Sequence, residues 1–297
     1  MASIKSATSP LFVERIEGAL GAVRVTHADC GAPVLLRRGG VDARSPVGCA
    51  RHDGVCLACY TGGDGPATLD DNVGRAAATG FKVALRAYGD RAQRRTDATI
   101  QPRWPEAVAR PESARAPLAL SEGPVYLAEL FEARVTPAHA ILSEFEGEVV
   151  LGRANRTTQP VTVRAASHEK HYGIPLKRAL RVGAGDAVRA GEALTDVGPQ
   201  PHDVLRILGE HALVCWMIGE AQAIFRAVDV TLPERHVSLL LRRMLARVTV
   251  TEPNDAGFTA GQRVARAEFA RENDQLVAQG KHPAYAAPLL EGLSELA

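Results

Sequence analysis

The chain has 297 residues, of which 46% are hydrophobic and 23% are charged, a composition typical of a globular protein with more than one small core. The formal net charge of +1 excludes a strong overall attraction to nucleic acid or an anionic membrane, so any such attraction must come from a local patch. Neither a signal peptide nor the roughly 18 uninterrupted apolar residues of a membrane span is found, so we expect a cytoplasmic protein without a membrane partner.

Four of the five cysteines are clustered near the N-terminus, separated by eighteen, six and two residues: Cys30, Cys49, Cys56 and Cys59. The CxxC pair can present two thiolates from one turn to a tetrahedral ion, and this clustering favours metal binding over disulfides. We therefore predict one structural Zn²⁺ within a zinc-binding module over residues 1–80. Four thiolates leave no open coordination position, which excludes catalysis at the metal. Reduced cysteines and a redox CxxC are the alternatives, and the redox role leaves Cys30 and Cys49 unexplained.

Basic residues outnumber acidic residues in the next segment, and no apolar periodicity is evident from Phe81 to Pro117. We predict a basic linker or arm over residues 81–120. A basic patch can bind nucleic acid, and the candidate residues are Arg86, Arg91, Arg94 and Arg95. A solvated, flexible linker is the competing interpretation.

Short β-like runs follow, and they predict an all-β module over residues 121–200. Within VGAGDAVRAGEAL, residues 182–194, two glycines would make tight reversals, Gly185 and Gly191. Three apolar residues would point inward from short strands: Val182, Val188 and Leu194. This pattern is typical of a barrel-sandwich hybrid. A swinging arm carrying lipoate or biotin would need a lysine at a hairpin tip, so we favour a scaffold role.

Residues 201–297 have helical periodicity. The first helix would place apolar residues, His211 and Cys215 on one face, which predicts that Cys215 is in the core. A second helix would begin at a capping box formed by Thr231 and Glu234. A strand follows at residues 247–253, and a last helix would end at Gly280 in a left-handed conformation. The chain as a whole is predicted to be α+β.

Ordered motifs along most of the chain resemble one known family. The motifs are VTHADCG (25–31), CARHDGVCLACY (49–60), LAELFEAR (127–134), AILSEFEGEV (140–149), LTDVGPQPHDVLRILG (194–209), GEAQAIFRAVDVTLPERHVSLLLRRML (219–245) and GQRVARAEFARENDQLVAQG (261–280). They are similar to the C-terminal part of β′, the largest catalytic subunit of bacterial RNA polymerase. The first two resemble the second zinc site of that subunit.

Departures from the family pattern limit the function that the resemblance implies. Asn72-Val73-Gly74 resembles the entry to the family's trigger hairpin, but the glycine- and glutamine-rich turn and the Met-Arg-Thr-Phe-His run that should follow are missing. The DxDxD aspartates that hold the polymerisation metal are also missing, and two-metal nucleotidyl transfer needs such carboxylates. We expect a shortened relative that is not an enzyme by itself.

Three functions remain open. The favoured one is a non-catalytic β′-like component of transcription that docks on, or forms part of, an RNA polymerase complex. The second is a split piece of the catalytic subunit, whose nucleotidyltransferase activity would need the other chains. The third is a stand-alone, zinc-containing nucleic-acid-binding regulator. RNA polymerase subunits are the expected partners, DNA is a further partner under the arm hypothesis, and no small-molecule substrate is indicated.

Overall fold

A computed structural model describes residues 10–32, 36–38, 41–51, 53–61, 67–95, 98–102, 118–135 and 139–296. These residues divide into two compact units. The first is built from segments within residues 10–100, 118–133 and 217–296, and the second from residues 101–102 and 134–216. In the described part of the chain, each helix is either too short or too polar to cross a membrane.

Helices and strands are mixed along the chain, which confirms the predicted α+β class. The α-helices are α1 (Pro10–Leu20), α2 (Leu57–Thr61), α3 (Val73–Ala92), α4 (Gly123–Phe131), α5 (Pro201–Arg226), α6 (Glu234–Met244) and α7 (Arg266–Ala278). The strands are β1 (Val25–His27), β2 (Leu36–Arg38), β3 (Val41–Ala43), β4 (Val55–Cys56), β5 (Thr99–Ile100), β6 (Leu118–Ala119), β7 (Gly147–Leu151), β8 (Thr158–Arg164), β9 (Glu169–Pro175), β10 (Ala187–Val188), β11 (Arg247–Glu252), β12 (Arg263–Ala265) and β13 (Tyr285–Leu289).

The core of the first unit is formed by helices α1, α3 and α6, which pack on one another. Two glycines of α3 allow the backbones to approach closely. A Cβ atom at Gly74 would lie 1.8 Å from the carbonyl oxygen of Leu20, and one at Gly80 would lie 2.4 Å from Nδ1 of His236. Because contacts below 3.0 Å require something to move, these two positions set the spacing of the three helices.

Helix α3 corrects the prediction of an irregular arm from residue 81 onward. Phe81, Ala84, Leu85 and Tyr88 are buried at the i, i+3, i+4, i+7 spacing of one helical face. The basic residues on the other faces obscured this stripe in the sequence. Residues 103–117 of the predicted arm lie outside the described residues.

Helix α4 is a second difference, because the all-β module was predicted to begin at residue 121. Pro124 lies in the first turn, where proline is tolerated, and Leu127, Leu130 and Phe131 are buried on one face. The ring of Phe131 packs edge-to-face on Phe81 of α3, with 6.1 Å between the centroids. Residues 123–131 therefore belong to the helical core of the first unit.

The second unit contains a four-stranded antiparallel sheet with the order β10-β7-β8-β9. Strands β8 and β9 are paired along their full length, from Thr158 opposite Pro175 to Arg164 opposite Glu169. One buried apolar cluster lies against this sheet: Val149, Val161, Val163, Ile174, Val182, Val188 and Leu194.

The glycine-rich motif of the second unit has the predicted conformation. Gly185 and Gly191 both have a φ of +83°, a left-handed conformation that glycine adopts without steric cost. Val182, Val188 and Leu194 are 5%, 1% and 0% exposed. The prediction of tight reversals with inward-pointing apolar residues is therefore confirmed.

Helix α5 is broken at Gly209, whose φ of 82° and ψ of 177° are non-helical. Leu213, Val214, Trp216 and Met217 are buried, whereas Cys215 is exposed. The prediction that Cys215 lies in the core is therefore wrong, because Cys215 and His211, one turn apart, both lie on the exposed side of the helix.

The last helices and strands agree with the sequence except at one cap. Helix α6 begins at Glu234 with Pro233 at its N-cap and no side-chain capping bond, so the predicted Thr231 capping box is wrong. Strand β11 pairs with both β12 and β13. Helix α7 ends just before Gly280, whose φ is +70°, as predicted for a left-handed end.

Candidate metal centre

Parallel pairing of two short strands brings the cysteine turns together. Val25 lies opposite Val55, and His27 lies opposite Cys56. The pairing continues past the strands, because the amide of Ala58 donates to the carbonyl of Ala28 at 3.0 Å. The turn that carries Cys30 therefore lies beside the turn that carries the CxxC pair.

The sulfur atoms of Cys30, Cys49, Cys56 and Cys59, the four-cysteine cluster, all lie within 4.8 Å of one another. The sulfurs of Cys30 and Cys59 are 3.6 Å apart. A tetrahedral zinc site with Zn–S bonds of about 2.3 Å has sulfur–sulfur edges of about 3.8 Å. Cys49, Cys56 and Cys59 are buried and Cys30 is partly exposed. The donor set and its spacing can hold one metal ion.

Backbone amides point at three of the four sulfurs. The amide of Cys56 donates to Sγ of Cys49 at 3.2 Å, and that of Cys59 donates to Sγ of Cys56 at 3.4 Å. The amide of Ala32 donates to Sγ of Cys30, also at 3.4 Å. Hydrogen bonds to the charged form of a group stabilise that form, so these three amides stabilise the thiolate forms against the opposing effect of burial.

The thiols of the cluster titrate as an interacting group. The hydrogen bond from Cys59, helped by the amides of Cys56 and Arg51, lowers the pKa of Cys49 to about 4. The same pair raises the pKa of Cys59, and burial raises the pKa of Cys56. The directions differ because the sulfurs share protons and one thiolate is stabilised by its neighbours. Because a bound divalent ion would replace those protons, metal binding to this cluster should release protons.

Sequence reasoning missed a residue that contacts the loop between Cys49 and Cys56. Arg242 of helix α6 donates to backbone carbonyls on both sides of Cys49, including those of Pro46 and Cys49 itself, each at 2.9 Å. The only signal in the sequence was an arginine pair after three leucines, which reads as the end of a helix rather than as part of a metal site.

The four candidate nucleic-acid residues lie on or just after the second half of α3 and are exposed. Two of them bind the turn that follows α5 within the first unit. Arg91 donates to the carbonyls of Val228 and Asp229, and Arg95 pairs with the carboxylate of Asp229. Nucleic-acid binding by Arg86, Arg91, Arg94 and Arg95 stays a prediction.

The segment that resembles the entry to a trigger hairpin begins helix α3. The side chain of Asn72 accepts a hydrogen bond from the amide of Arg75 at 2.8 Å and donates to the carbonyl of Gly21 at 2.9 Å. It therefore caps α3 and ties it to the end of α1. The helix continues from there to Ala92 without interruption.

Comparison with known proteins finds similarity to RNA polymerase subunits. Residues 121–265 match the family model described as RNA polymerase Rpb1, domain 5. The chain is 33% identical over 256 residues to the DNA-directed RNA polymerase subunit β′ of Streptomyces coelicolor, and this alignment covers 86% of this chain and 19% of that protein.

Two further β′ subunits align over a shorter part of the chain. That of Syntrophobacter fumaroxidans is 36% identical over 170 residues, and that of Bdellovibrio bacteriovorus is 37% identical over 171 residues. Each alignment covers 57% of this chain and 13% or 12% of the relative. The chain thus spans less than a fifth of the length of these relatives.

Proposed function

Since this chain is related to the C-terminal part of the bacterial RNA polymerase β′ subunit, we propose that it acts in transcription as a non-catalytic component of an RNA polymerase complex. It would dock on polymerase subunits or form part of their assembly. The observation that carries the proposal is the 256-residue alignment, which includes 86% of the chain. Similarity over most of the chain favours a retained β′-like fold over the chance occurrence of one shared motif.

A structural Zn²⁺ held by Cys30, Cys49, Cys56 and Cys59 is part of the proposal. The support is the cluster of four sulfurs within 4.8 Å of one another, with three backbone amides directed at them. Because four thiolates complete a tetrahedral coordination shell, the ion would contribute folding energy and rigidity and would leave no position for water or substrate.

The non-catalytic role is supported by the absence of a DxDxD arrangement from the sequence. In-line nucleotidyl transfer by two metal ions needs such carboxylates to position the attacking and leaving oxygens. The trigger-hairpin residues are also missing after Gly74. A chain with this sequence would need other polypeptides for phosphodiester chemistry.

A split piece of the catalytic subunit is the second candidate. It is favoured by the similarity of 57–86% of the chain to the β′ subunits of the three relatives described above. In that case, partner chains would carry the aspartates and the trigger hairpin. The stand-alone nucleic-acid binder has less support, because Arg91 and Arg95 bind the turn that follows α5.

The test is affinity purification of the tagged full chain from its host, followed by mass spectrometry and zinc analysis. We expect RNA polymerase subunits to be enriched over a purification with an unrelated tagged protein. Recovery of the chain without polymerase subunits would contradict the proposal. Nucleic-acid binding by the purified chain with a steep salt dependence would then favour the third function.

The two forms of the proposal are separated by activity. If the chain is a split piece, depletion of the chain from the purified complex should abolish nucleotide addition. If it is a docked component, the remaining polymerase should still extend RNA on a nucleic-acid scaffold.

A further inference from the structure

One guanidinium group binds the loop that carries Cys49. Nη1 of Arg242 donates to the carbonyls of Pro46 and Cys49, each at 2.9 Å. Nη2 donates to the carbonyl of Gly54 at 3.0 Å and also to that of Arg51. These four carbonyls lie within nine residues of chain, and the donor comes from a helix that is 188 to 196 residues away in sequence.

The fork geometry of arginine suits this task. A guanidinium has five N–H donors in one plane and can bind several carbonyls at once, whereas the lysine ammonium acts as a point charge on a flexible stem. Backbone carbonyls in an irregular loop have no ladder partners, and burying them without a donor costs free energy. Arg242 supplies those donors on both sides of Cys49.

Charge also favours this position. Four thiolates and one Zn²⁺ carry a net double negative charge, which a partly buried site must balance. The guanidinium of Arg242 binds the carbonyl of Cys49 itself, so its positive charge lies beside the cluster. Since arginine remains protonated at physiological pH, it would serve as a counter-charge within the site.

The neighbouring arginine provides a matched comparison. Arg243 donates one hydrogen bond, from Nε to the carbonyl of Ala19 at the end of α1, at 2.9 Å. It lies on the same turn of α6 and carries the same charge, but it contacts another helix. A substitution at Arg243 therefore reports the general effect of losing an arginine from this helix.

We propose that Arg242 is the positioning residue of the four-cysteine cluster. It shapes the loop from Pro46 to Gly54 so that Cys49 is held against the CxxC turn, and it offsets the charge of the metal–thiolate cluster. This inference rests on the proposed zinc site and extends it to helix α6. Loss of a group that orients and supports metal ligands typically weakens metal binding about 10- to 100-fold.

The test compares Arg242→Gln, Arg242→Lys and Arg243→Gln in the full chain loaded with zinc. Zinc transfer to the chromogenic chelator 4-(2-pyridylazo)resorcinol gives the release rate, and circular dichroism gives the melting temperature. We expect Arg242→Gln to release zinc about 10- to 100-fold faster than the wild type. Arg242→Lys keeps the charge but loses the forked donor geometry, so its zinc release rate should lie between those of the wild type and Arg242→Gln. Arg243→Gln should release zinc within about twofold of the wild-type rate, even where the loss of its hydrogen bond to Ala19 lowers the melting temperature.

Release from Arg242→Gln at the wild-type rate, or equal acceleration by Arg242→Gln and Arg243→Gln, would overturn the inference. If Arg242→Gln does not fold, Arg242→Lys decides the question, and a wild-type rate in that variant overturns it. Absence of zinc from the wild-type protein would instead contradict the proposed zinc site. Hydrogen exchange of segments 46–51 and 53–56 in the metal-free variants then tests the loop contacts alone. Equal exchange in Arg242→Gln and Arg243→Gln would contradict those contacts.

Discussion

The two units of the chain are stabilised by different kinds of contact. In the second unit, seven buried apolar residues pack on a sheet whose strands are paired in register. The first unit combines packed helices with a cluster of thiols, a histidine buried between helices, and an arginine bound to backbone carbonyls. Loss of a buried apolar side chain costs free energy that increases with the size of the cavity left behind. Loss of one polar partner instead leaves the other group buried without a hydrogen bond.

Loss of one cysteine of the four-cysteine cluster should have the largest effect. Cys59→Ser removes a buried ligand and leaves the tetrahedral shell incomplete, so we expect loss of stoichiometric zinc. The effect on stability should be large, because structural zinc contributes on the order of 10 kcal/mol to small sites. Elemental analysis and limited proteolysis of residues 25–61 measure the result. Cys215→Ser changes an exposed cysteine of α5 and should retain the metal. Full zinc occupancy in Cys59→Ser would refute the assignment of four ligands.

Removal of one apolar side chain should affect the second unit less. Leu194 is fully buried, and Leu194→Ala should lower the free energy of unfolding by about 2–5 kcal/mol. The matched control is Leu176→Ala, because Leu176 is 51% exposed and its loss should cost no more than about 0.5 kcal/mol. Urea denaturation followed by circular dichroism measures both. Zinc content should be unchanged in both variants, and its loss from Leu194→Ala would show that the two centres are not independent.

Overpacking at the contact between α3 and α6 should have a smaller effect. Gly80→Ala would place a methyl group 2.4 Å from the ring of His236, and such overpacking costs about 1–3 kcal/mol. Gly89→Ala lies in the same helix, and its methyl group would meet no described atom within 4 Å, so it should stabilise the protein by up to about 1 kcal/mol. Thermal unfolding of both variants measures the difference. Equal melting temperatures would show that the helices can separate freely at Gly80.

The smallest expected effect concerns the protonation of His236. Burial, with Arg235 nearby, lowers the pKa of His236 to about 4, below the ordinary value of 6.5. Between these values the unfolded chain binds the proton more strongly, so stability should fall as pH decreases from about 6.5 to about 4. After allowance for partial solvent screening, the loss is on the order of 1–2 kcal/mol.

Urea denaturation at several pH values, for the wild type and His236→Gln, measures this dependence. The wild type should lose more stability than the variant between pH 7 and pH 5. Parallel pH profiles would contradict a neutral, buried His236. Carboxylates that titrate in the same range affect both proteins equally, so the difference between the profiles isolates the histidine.

Several local features followed from the sequence. Gly185, Gly191 and Gly280 were predicted to make reversals or a helix end, and all three have a positive φ. The presence of helix α6 and of strand β11 also agrees with the predictions. The basic arm was wrong from Phe81 to Ala92, because counting charges hid a buried stripe of four residues. The exposure of Cys215 could not be predicted, because apolar residues surround that position in the sequence.

The candidate metal centre was also only partly predictable from the sequence. The set of four cysteines and the turn that joins Cys56 to Cys59 could be read from the sequence, because spacing within one turn and left-handed glycines are local properties of the chain. The pairing of β1 with β4 and the contact of Arg242 with the loop around Cys49 required the folded chain. These contacts join segments far apart in sequence, and their formation depends on which backbone groups and charges folding removes from water.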